Sequence, residues 1–233
     1  MDNLKENSGS GEIISTFNLD GKTAEVVRFT ESDVSLIEED LKSLAAGLTE
    51  TDLKDSVFVA KDPRPDLANA VRDKKVLQIK NLIASGKALC VRIDGKVVAV
   101  LGVEQKAVLK DGRALLEATK AATLPEFRKK GIAKKLAIQL YTDQMQKNPD
   151  AVFVAFSRNP AVIGGLGKAG FKNVPADSDN MVAKAYTEKF DKQTMKDLLA
   201  DNYRVIYFDP KEATTVDKLK MRVCLFVAKV LGS

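Results

Sequence analysis

The chain has 233 residues, of which 45% are hydrophobic and 30% are charged. These fractions are typical of globular proteins and exclude a disordered chain, a collagen and a coiled coil. The absence of histidine excludes Ser-His-Asp and Cys-His nucleophile systems, HExxH zinc sites and imidazole bases. The net charge of +5 is too small to indicate by itself a protein that binds nucleic acid.

The sequence predicts a cytoplasmic protein. Cys90 and Cys224 are the only cysteines, too few for a disulfide framework, and this favours a reducing compartment. The first twelve residues lack the basic and then apolar pattern of a signal peptide. No stretch approaches the roughly 18 apolar residues of a membrane-spanning helix, so no membrane association is predicted.

The first third of the chain is predicted to form a tail, a strand and two helices. Residues 1–12 form the flexible tail, because the Ser-Gly run at 8–11 offers almost nothing to bury. A strand at 25–29 is followed by the capping run 30–33, which opens a helix with apolar residues at helical spacing. A second helix is predicted at 66–84, between two prolines and a glycine.

Asp-Gly is the strongest type of short-range hairpin signal, and the pairs at 94–95 and 111–112 predict two hairpins. The segments that flank them are rich in β-branched and apolar residues. Strands at 88–93, 96–103 and 114–123 are therefore predicted to form an antiparallel meander.

The rest of the chain is predicted to alternate helices with short strands, and no linker divides it. Residues 13–233 are therefore expected to form a single mixed α/β domain. The last helix is expected to dock its apolar face on this domain, with a homodimer contact as the main alternative. The elements are predicted in this order: a helix at 131–146, a buried strand at 151–156, a glycine-rich short helix or loop at 160–170, a strand at 171–174, a helix at 194–201, a strand at 204–208 and a closing helix at about 214–231.

The segment from Leu116 to Ala133 reads as a strand, a turn that contains Pro125, and an Arg-x-x-Gly-x-Ala entry into a helix. A helix N-terminus carries free backbone N–H groups and partial positive charge, and the small Gly131 lets an anion approach them. These features predict a site for a pyrophosphate, and an ordinary turn with a solvated basic face is the alternative. Positive potential would come from Arg128, Lys129, Lys130, Lys134 and Lys135.

The run PEFRKKGIAKKL at 125–136 resembles the acetyl-CoA-binding signature of the GNAT superfamily of N-acetyltransferases, Arg/Gln-x-x-Gly-x-Gly/Ala at the end of a strand. Three further features follow the family's order: the VVRFTESD start at 26–33, the hairpins before the signature, and Ser157-Arg158-Asn159-Pro160-Ala161 followed by Gly170-Phe171. The resemblance covers roughly residues 24–210 and is most specific between about 115 and 171.

The resemblance implies an α/β (α+β) fold of the GNAT type, with a mixed, mostly antiparallel central sheet flanked by helices. It implies an N-acetyltransferase that moves the acetyl group of acetyl-CoA to an amine acceptor, a small molecule or a protein amine, by direct attack. The strands before and after the signature would splay apart and hold the thioester between them. The implied cofactor-binding residues are the backbone of Ala121, Ala122 and Thr123 for the pantetheine arm, the amides of Arg128, Lys129, Lys130, Gly131, Ile132 and Ala133 for the pyrophosphate, and Asn159 near the thiol end.

Glu117 is the candidate catalytic base. In the histone-acetylating branch of the family, a glutamate about six residues before the end of the signature strand deprotonates the incoming amine, and Glu117 matches that position counted back from Thr123. An ammonium must lose its proton before it attacks a thioester, and the chain has no histidine to take it. The alternative is a solvent-facing or ion-paired strand glutamate, and Glu104 on the preceding strand is a second candidate.

The sequence departs from the family's pattern at Leu166, where many members carry a tyrosine that protonates the leaving thiolate. The thiolate could leave without an acid, Tyr203 or Ser157 could supply the proton, or catalysis could be weak. The second of two functional hypotheses is therefore a module of the same fold that binds CoA or acyl-CoA without efficient turnover. The acceptor is not predicted.

Two other interpretations carry less weight. The segment 165–170 matches the dinucleotide fingerprint G-x-G-x-x-G, but it does not directly follow a strand, so a Rossmann site is not predicted. Lysines 129, 130, 134 and 135 could bind nucleic acid, but this remains the weakest of the hypotheses, and no nucleic acid is predicted as a partner.

Overall fold

A computed structural model describes residues 11–54, 65–188, 190–218 and 220. Strand β1 begins at Glu12, and the rest of the predicted tail, residues 1–10, lies outside the described residues. Residues 221–231 of the predicted closing helix, with Cys224, also lie outside them. The division into a tail and one domain stays a prediction. Among the helices of the described part, none is long and apolar enough to cross a membrane.

The described residues form eight strands and six numbered α-helices, with short 3-10 turns at Glu31–Asp33 and Pro125–Phe127. Residues 215–218, at the start of the predicted closing helix, are also helical. The strands are β1 (Glu12–Leu19), β2 (Lys22–Arg28), β3 (Ala88–Ile93), β4 (Lys96–Val108), β5 (Ala114–Thr123), β6 (Val152–Ser157), β7 (Lys172–Pro175) and β8 (Arg204–Phe208). The helices are α1 (Glu38–Lys54), α2 (Pro65–Ala84), α3 (Ile132–Lys147), α4 (Pro160–Lys168), α5 (Met181–Thr187) and α6 (Lys192–Ala200).

All eight strands belong to one sheet in the order β1-β2-β3-β4-β5-β6-β8-β7. Every neighbouring pair is antiparallel except β5 and β6, which run parallel. The connection between this parallel pair contains α3, as a parallel crossover requires. The predicted mixed, mostly antiparallel sheet is therefore confirmed.

The predicted meander is confirmed, with β5 at the predicted bounds and β4 five residues longer than predicted. The turn between β3 and β4 uses Asp94 and Gly95 in the left-handed region, with φ of 49° and 79°. The prediction that the capping run opens an α-helix directly is wrong. Thr30 and Asp33 form a capping box on a 3-10 turn, and α1 begins only at Glu38.

The centre of the sheet is covered on both faces. Every residue of β3 is buried, and because successive side chains of a strand point to opposite faces, helices must cover both of them. Helix α2 packs closely against Gly102 of β4, where a Cβ atom would lie only 2.6 Å from Leu82 Cδ1. This close packing fixes the middle of β4, the strand on which the central part of β5 is paired.

A buried ion pair joins the beginning of β5 to the end of β8. The Arg113 guanidinium donates from Nη1 and Nη2 to the two carboxylate oxygens of Asp209 at 2.5 and 2.8 Å, and from Nε to Asp111 at 2.7 Å. The Asp209 side chain is completely buried and that of Arg113 is 8% exposed. Burial favours the neutral carboxyl, but the hydrogen bonds from Arg113 outweigh it and lower the pKa of Asp209. The first residues of β5 are therefore fixed against the neighbouring strands.

Candidate functional site

Strands β5 and β6 are paired over only three residues each. The parallel register runs from Leu115 opposite Val152 to Glu117 opposite Val154 and ends there, although β5 continues to Thr123 and β6 to Ser157. Beyond this point β6 remains paired with β8 on its other side. The two strands therefore part at Glu117 and open a wedge-shaped gap in the sheet. The parting predicted from the family resemblance is confirmed.

A bulge bends β5 inside this gap. Val100 of β4 faces Ala122 and Gly102 faces Thr119, so that Leu101 lies opposite two residues, Lys120 and Ala121. Lys120 adopts a left-handed conformation with φ of 55°, which is uncommon for a residue other than glycine. A bulge bends its strand and increases the local twist, and bulges are frequent beside functional sites. The bulge lies in the half of β5 that is no longer paired with β6.

The segment after β5 leads directly into the N-terminus of α3. Gly131 is the N-cap residue, with φ of 81°, and Lys129 also has a positive φ of 63°. The Lys135 amide makes the turn's hydrogen bond to the Gly131 carbonyl at 3.1 Å, and helical amides before it have no acceptor within the helix. A Cβ atom on Gly131 would have no heavy atom within 4 Å, so the space beside this N-cap residue is open.

The cations of this loop differ in how they are engaged. Arg128 Nε donates to the Thr123 carbonyl at 3.0 Å, and Lys130 Nζ forms an ion pair with Asp20 at 2.7 Å. Lys135 Nζ lies 4.2 Å from the centre of the Phe17 ring, and burial lowers its pKa. Lys129 and Lys134 are exposed. Because several side chains have partners within the protein, the backbone amides are the better candidates for holding an anion.

A small cavity of about 120 Å³ lies between α1 and the end of β5. Arg128 extends across it, and a Cβ atom on Gly47 of α1 would lie 3.1 Å from Arg128 Nη2. The absence of a side chain at Gly47 therefore leaves room for this arginine. Sequence analysis did not predict that α1 contributes here. The lining residues are Leu44, Gly47, Leu48, Ala121, Ala122, Thr123 and Arg128.

Glu117 lies where the two strands part, and its side chain is only 12% exposed. Lys106 Nζ forms an ion pair with Glu117 Oε2 at 3.1 Å and a second, shorter one with Glu104. The Tyr186 hydroxyl of α5 donates a hydrogen bond to Glu117 Oε1. The alternative to a catalytic role was a solvent-facing or ion-paired glutamate. The structure shows that Glu117 is ion-paired and half-buried, so the solvent-facing form is wrong.

The partners of Glu117 are held in their protonated forms. Burial, the charge of Glu117 and the hydrogen bond to it raise the pKa of the Tyr186 phenol far above its ordinary value. Burial by itself would lower the pKa of Lys106, but the hydrogen bond to Glu104 and the charge of Glu117 raise it. Tyr186 therefore remains a hydrogen-bond donor, and Lys106 a cation, at neutral pH.

The other predicted residues lie around the rim of the gap. Asn159 is two residues beyond β6 and exposed, and its backbone N–H donates to Ser157 Oγ at 3.1 Å. The backbone of 121–123 and the amides of 128–133 are together at the end of β5. Leu166 lies on α4 and packs against the core. The G-x-G-x-x-G match at 165–170 spans the end of α4 and not a strand-to-helix turn, as a Rossmann site would require.

Aromatic side chains that sequence analysis missed cover β6 on one side of the gap. The Phe156 ring stacks on Tyr203 with centroids 4.9 Å apart, and it lies 5.2 Å from Tyr186 and 6.0 Å from Phe190. Tyr203, one of the two candidate proton donors named above, is therefore held by stacking on a strand that borders the gap. No local pattern reveals this cluster, because its members come from β6, α5 and the segments around α6.

Comparison with known proteins gives similarity in structure only. No protein-family model matches the chain, and no curated protein matches its sequence. A PaiA N-acetyltransferase from Thermoplasma acidophilum, solved with coenzyme A, matches with a TM-score of 0.49 and 14% identity over 80% of this chain and 98% of that one. A ribosomal-protein-alanine N-acetyltransferase from Brucella melitensis gives a TM-score of 0.47 and 15% identity over 73% and 93% of the two chains.

A GCN5-related N-acetyltransferase from Kribbella flavida also matches, with a TM-score of 0.45 and 15% identity over 66% of this chain. The match covers only 36% of the Kribbella chain, so this chain corresponds to about a third of that protein. With identities of 14–15% and TM-scores below 0.5, these similarities assign neither a family nor a role to this chain. The predicted mixed, mostly antiparallel sheet flanked by helices is confirmed by the described strands and helices themselves.

Proposed function

We propose that the protein is a cytoplasmic N-acetyltransferase that uses acetyl-CoA and an amine acceptor. The observation that carries this proposal is the gap between β5 and β6, which opens at Glu117 and leads along β5 to the N-terminus of α3. A strand edge, a helix N-terminus and a half-buried carboxylate are thus aligned on one continuous path. The signature at 125–136 occupies the last part of this path.

The path fits the chemical parts of acetyl-CoA. The pantetheine arm contains amide groups, which can pair with the edge of β5 at 121–123 as an added strand pairs with a sheet. The pyrophosphate carries negative charge, which the amides at the start of α3 and the helix dipole favour. Gly131 leaves the approach to these amides open. Asn159, on the opposite rim, is the candidate contact near the thiol end.

The position of Glu117 where β5 and β6 part, with a side chain only 12% exposed, supports its role as the proton acceptor. The amine of the acceptor must lose a proton before its nitrogen bonds to the acetyl carbonyl and the carbon–sulfur bond breaks. The Glu117 carboxylate takes this proton in our proposal, and the CoA thiolate leaves unaided or with a proton from Tyr203 or Ser157. A carboxylate in a partly apolar site is a suitable base because burial and neighbouring groups adjust its proton affinity.

Calorimetric titration with acetyl-CoA tests the cofactor site. Gly131→Glu places a carboxylate before the amides of α3, and we expect it to weaken binding about a hundredfold or more. Two unit charges about 4 Å apart near a protein surface interact by roughly 4 kcal/mol. Gly112→Glu is the matched control, because Gly112 has nearly the same φ, 84° against 81°, and equally open space at the opposite end of β5. Equal binding by both variants and the wild type would refute the site.

Acetylation of a panel of amines separates the enzyme from a binding module. Release of free thiol that depends on both acetyl-CoA and an amine is the result expected of the enzyme. Tight binding of acetyl-CoA without thiol release by any amine of the panel would favour the non-catalytic module. The observation that favours this second function is Leu166, which stands where many members of the family carry the tyrosine that protonates the thiolate.

A further inference from the structure

A second bulge, on β4, places the ammonium of Lys106 beside the candidate base. Gln105 faces Leu116 and Ala107 faces Leu115, so that Lys106 is an extra residue without a partner position on β5. The bulge breaks the alternation of the strand, and bulges often redirect a side chain next to an active site. The Lys106 side chain is only 21% exposed and contacts both Glu104, two residues before it on the same strand, and Glu117.

The ammonium of Lys106 compensates for an unfavourable pairing of two carboxylates. Glu104 and Glu117 lie directly opposite each other on neighbouring strands, where two like charges destabilise a sheet. Lys106 is the cation shared by these two carboxylates. The other groups that act on Glu117 are Tyr186 from α5, which donates to it, and Tyr141 from α3, whose pKa is raised by burial and by the charge of Glu117.

We infer that Lys106 is a positioning residue that orients the Glu117 carboxylate and separates it from the facing Glu104, so that the base stays available on the acidic side of the pH profile. This inference rests on the proposed function, in which Glu117 accepts the proton of the acceptor amine. Without the cation, the two facing carboxylates share a proton, because both cannot ionise readily so close together. The base is then blocked at pH values where it works in the wild type.

The first test is the pH dependence of kcat/KM in Lys106→Met. The acid limb of this profile is the part at low pH where kcat/KM rises as the base loses its proton. We expect its midpoint to move to higher pH by about one unit or more, the size of effect that a neighbouring opposite charge produces. Below this midpoint, kcat/KM falls about tenfold for each unit of the shift. Lys106→Arg keeps the cation, so its acid-limb midpoint is expected to lie close to that of the wild type. Lys106→Gln replaces the Met variant if the latter does not fold.

The double variant Glu104→Gln with Lys106→Met tests the origin of the effect. It removes the like charge together with the cation, and we expect its acid limb to return to near the wild-type position. A merely structural role of Lys106 would instead lower stability and acetyl-CoA affinity in the single and double variants and leave the limb in place. That result would overturn the inference.

A titration that needs no turnover separates this inference from the proposed function. The side-chain carboxyl carbons of ¹³C-labelled glutamate are followed by NMR, and the Glu117 signal is assigned by its loss in Glu117→Gln. We expect a higher titration midpoint in Lys106→Met than in the wild type even if no amine is acetylated. Equal midpoints would refute the role of Lys106, whereas absent turnover with shifted midpoints would refute the function alone.

Discussion

The two halves of β5 have different surroundings. The first half, up to Leu116, is paired on both sides, carries buried leucines and is fixed by the bidentate pair between Arg113 and Asp209. The second half, from Ala118 to Thr123, has lost β6 as a neighbour and contains a bulge at Lys120. Glu117 lies at the boundary. One strand therefore combines a rigid anchor with an edge that can receive a ligand.

The charged groups before the first half of β5 and those around Glu117 also differ in chemistry. Arg113 presents a planar fork whose geometry matches a carboxylate, and its partner Asp209 is completely buried. Lys106 offers a point charge shared between two carboxylates that remain partly exposed. A fully satisfied pair suits an anchor, whereas the cation shared by Glu104 and Glu117 lies beside the candidate base. The comparison predicts that the first cluster acts on stability and the second on turnover.

The largest effect is expected from Arg113→Met. It leaves the completely buried Asp209 carboxylate without its cation, and we expect a loss of about 3–5 kcal/mol in the free energy of unfolding. Denaturant titration measures it. Lys42→Met, which removes ion pairs on the surface of α1, is the control and should change stability far less, because exposed ion pairs contribute little. A loss below about 1 kcal/mol in Arg113→Met would mean that the first half of β5 is not anchored by this pair.

The same variant has a predictable pH dependence. The pKa of Asp209 is lowered in the folded protein, so its pair with Arg113 contributes stability above the unfolded value, about pH 4, and loses it as pH falls through the folded value. The stability difference between wild type and Arg113→Met should therefore shrink below about pH 4. A difference that grows with acidity would contradict the assignment.

The next effect is expected at the boundary residue. Glu117→Gln keeps the shape of the side chain and removes the base, so kcat should fall about a hundredfold or more, within the range for general bases. Acetyl-CoA affinity and stability should change little, in contrast to Arg113→Met. Glu104→Gln is the matched control on the facing strand and should lower kcat less than tenfold. The reverse order would make Glu104, the second candidate, the base.

Much of the fold could be predicted because local signals determine it. The Asp-Gly pairs at 94–95 and 111–112 locate β3, β4 and β5. A third pair, Asp20 and Gly21, has φ of 52° and 83° and closes the hairpin between β1 and β2. Sequence analysis overlooked β1 although this pair carries the same signal, because the strand follows directly on the Ser-Gly run of the tail.

The surroundings of Glu117 could not be predicted in this way. Tyr186 is 69 residues away in the chain and reaches Glu117 only because α5 packs against β4 and β8. The bulge at Lys106 follows from how β4 and β5 are aligned, and no residue type in the strand indicates it. The position of β8 between β6 and β7 likewise depends on packing over long sequence separation rather than on periodicity.

The smallest effect concerns the bend in the second half of β5. Lys120 has a left-handed conformation, which glycine adopts without strain and alanine does not. We therefore expect Lys120→Gly to be more stable than Lys120→Ala by about 1 kcal/mol, since both lose the same side-chain contacts. Denaturant titration of the two variants measures this difference.

The neighbouring Thr119, which does not have a positive φ, provides the control for this bend. There the order should reverse, with Thr119→Ala more stable than Thr119→Gly by about 0.5–1 kcal/mol, because glycine weakens the interior of a strand. Acetyl-CoA affinity should be retained in Lys120→Gly, since the bend of the strand is preserved. An alanine as stable as glycine at position 120 would mean that the bulge relaxes readily, and the second half of β5 would then be a pliable edge rather than a preformed one.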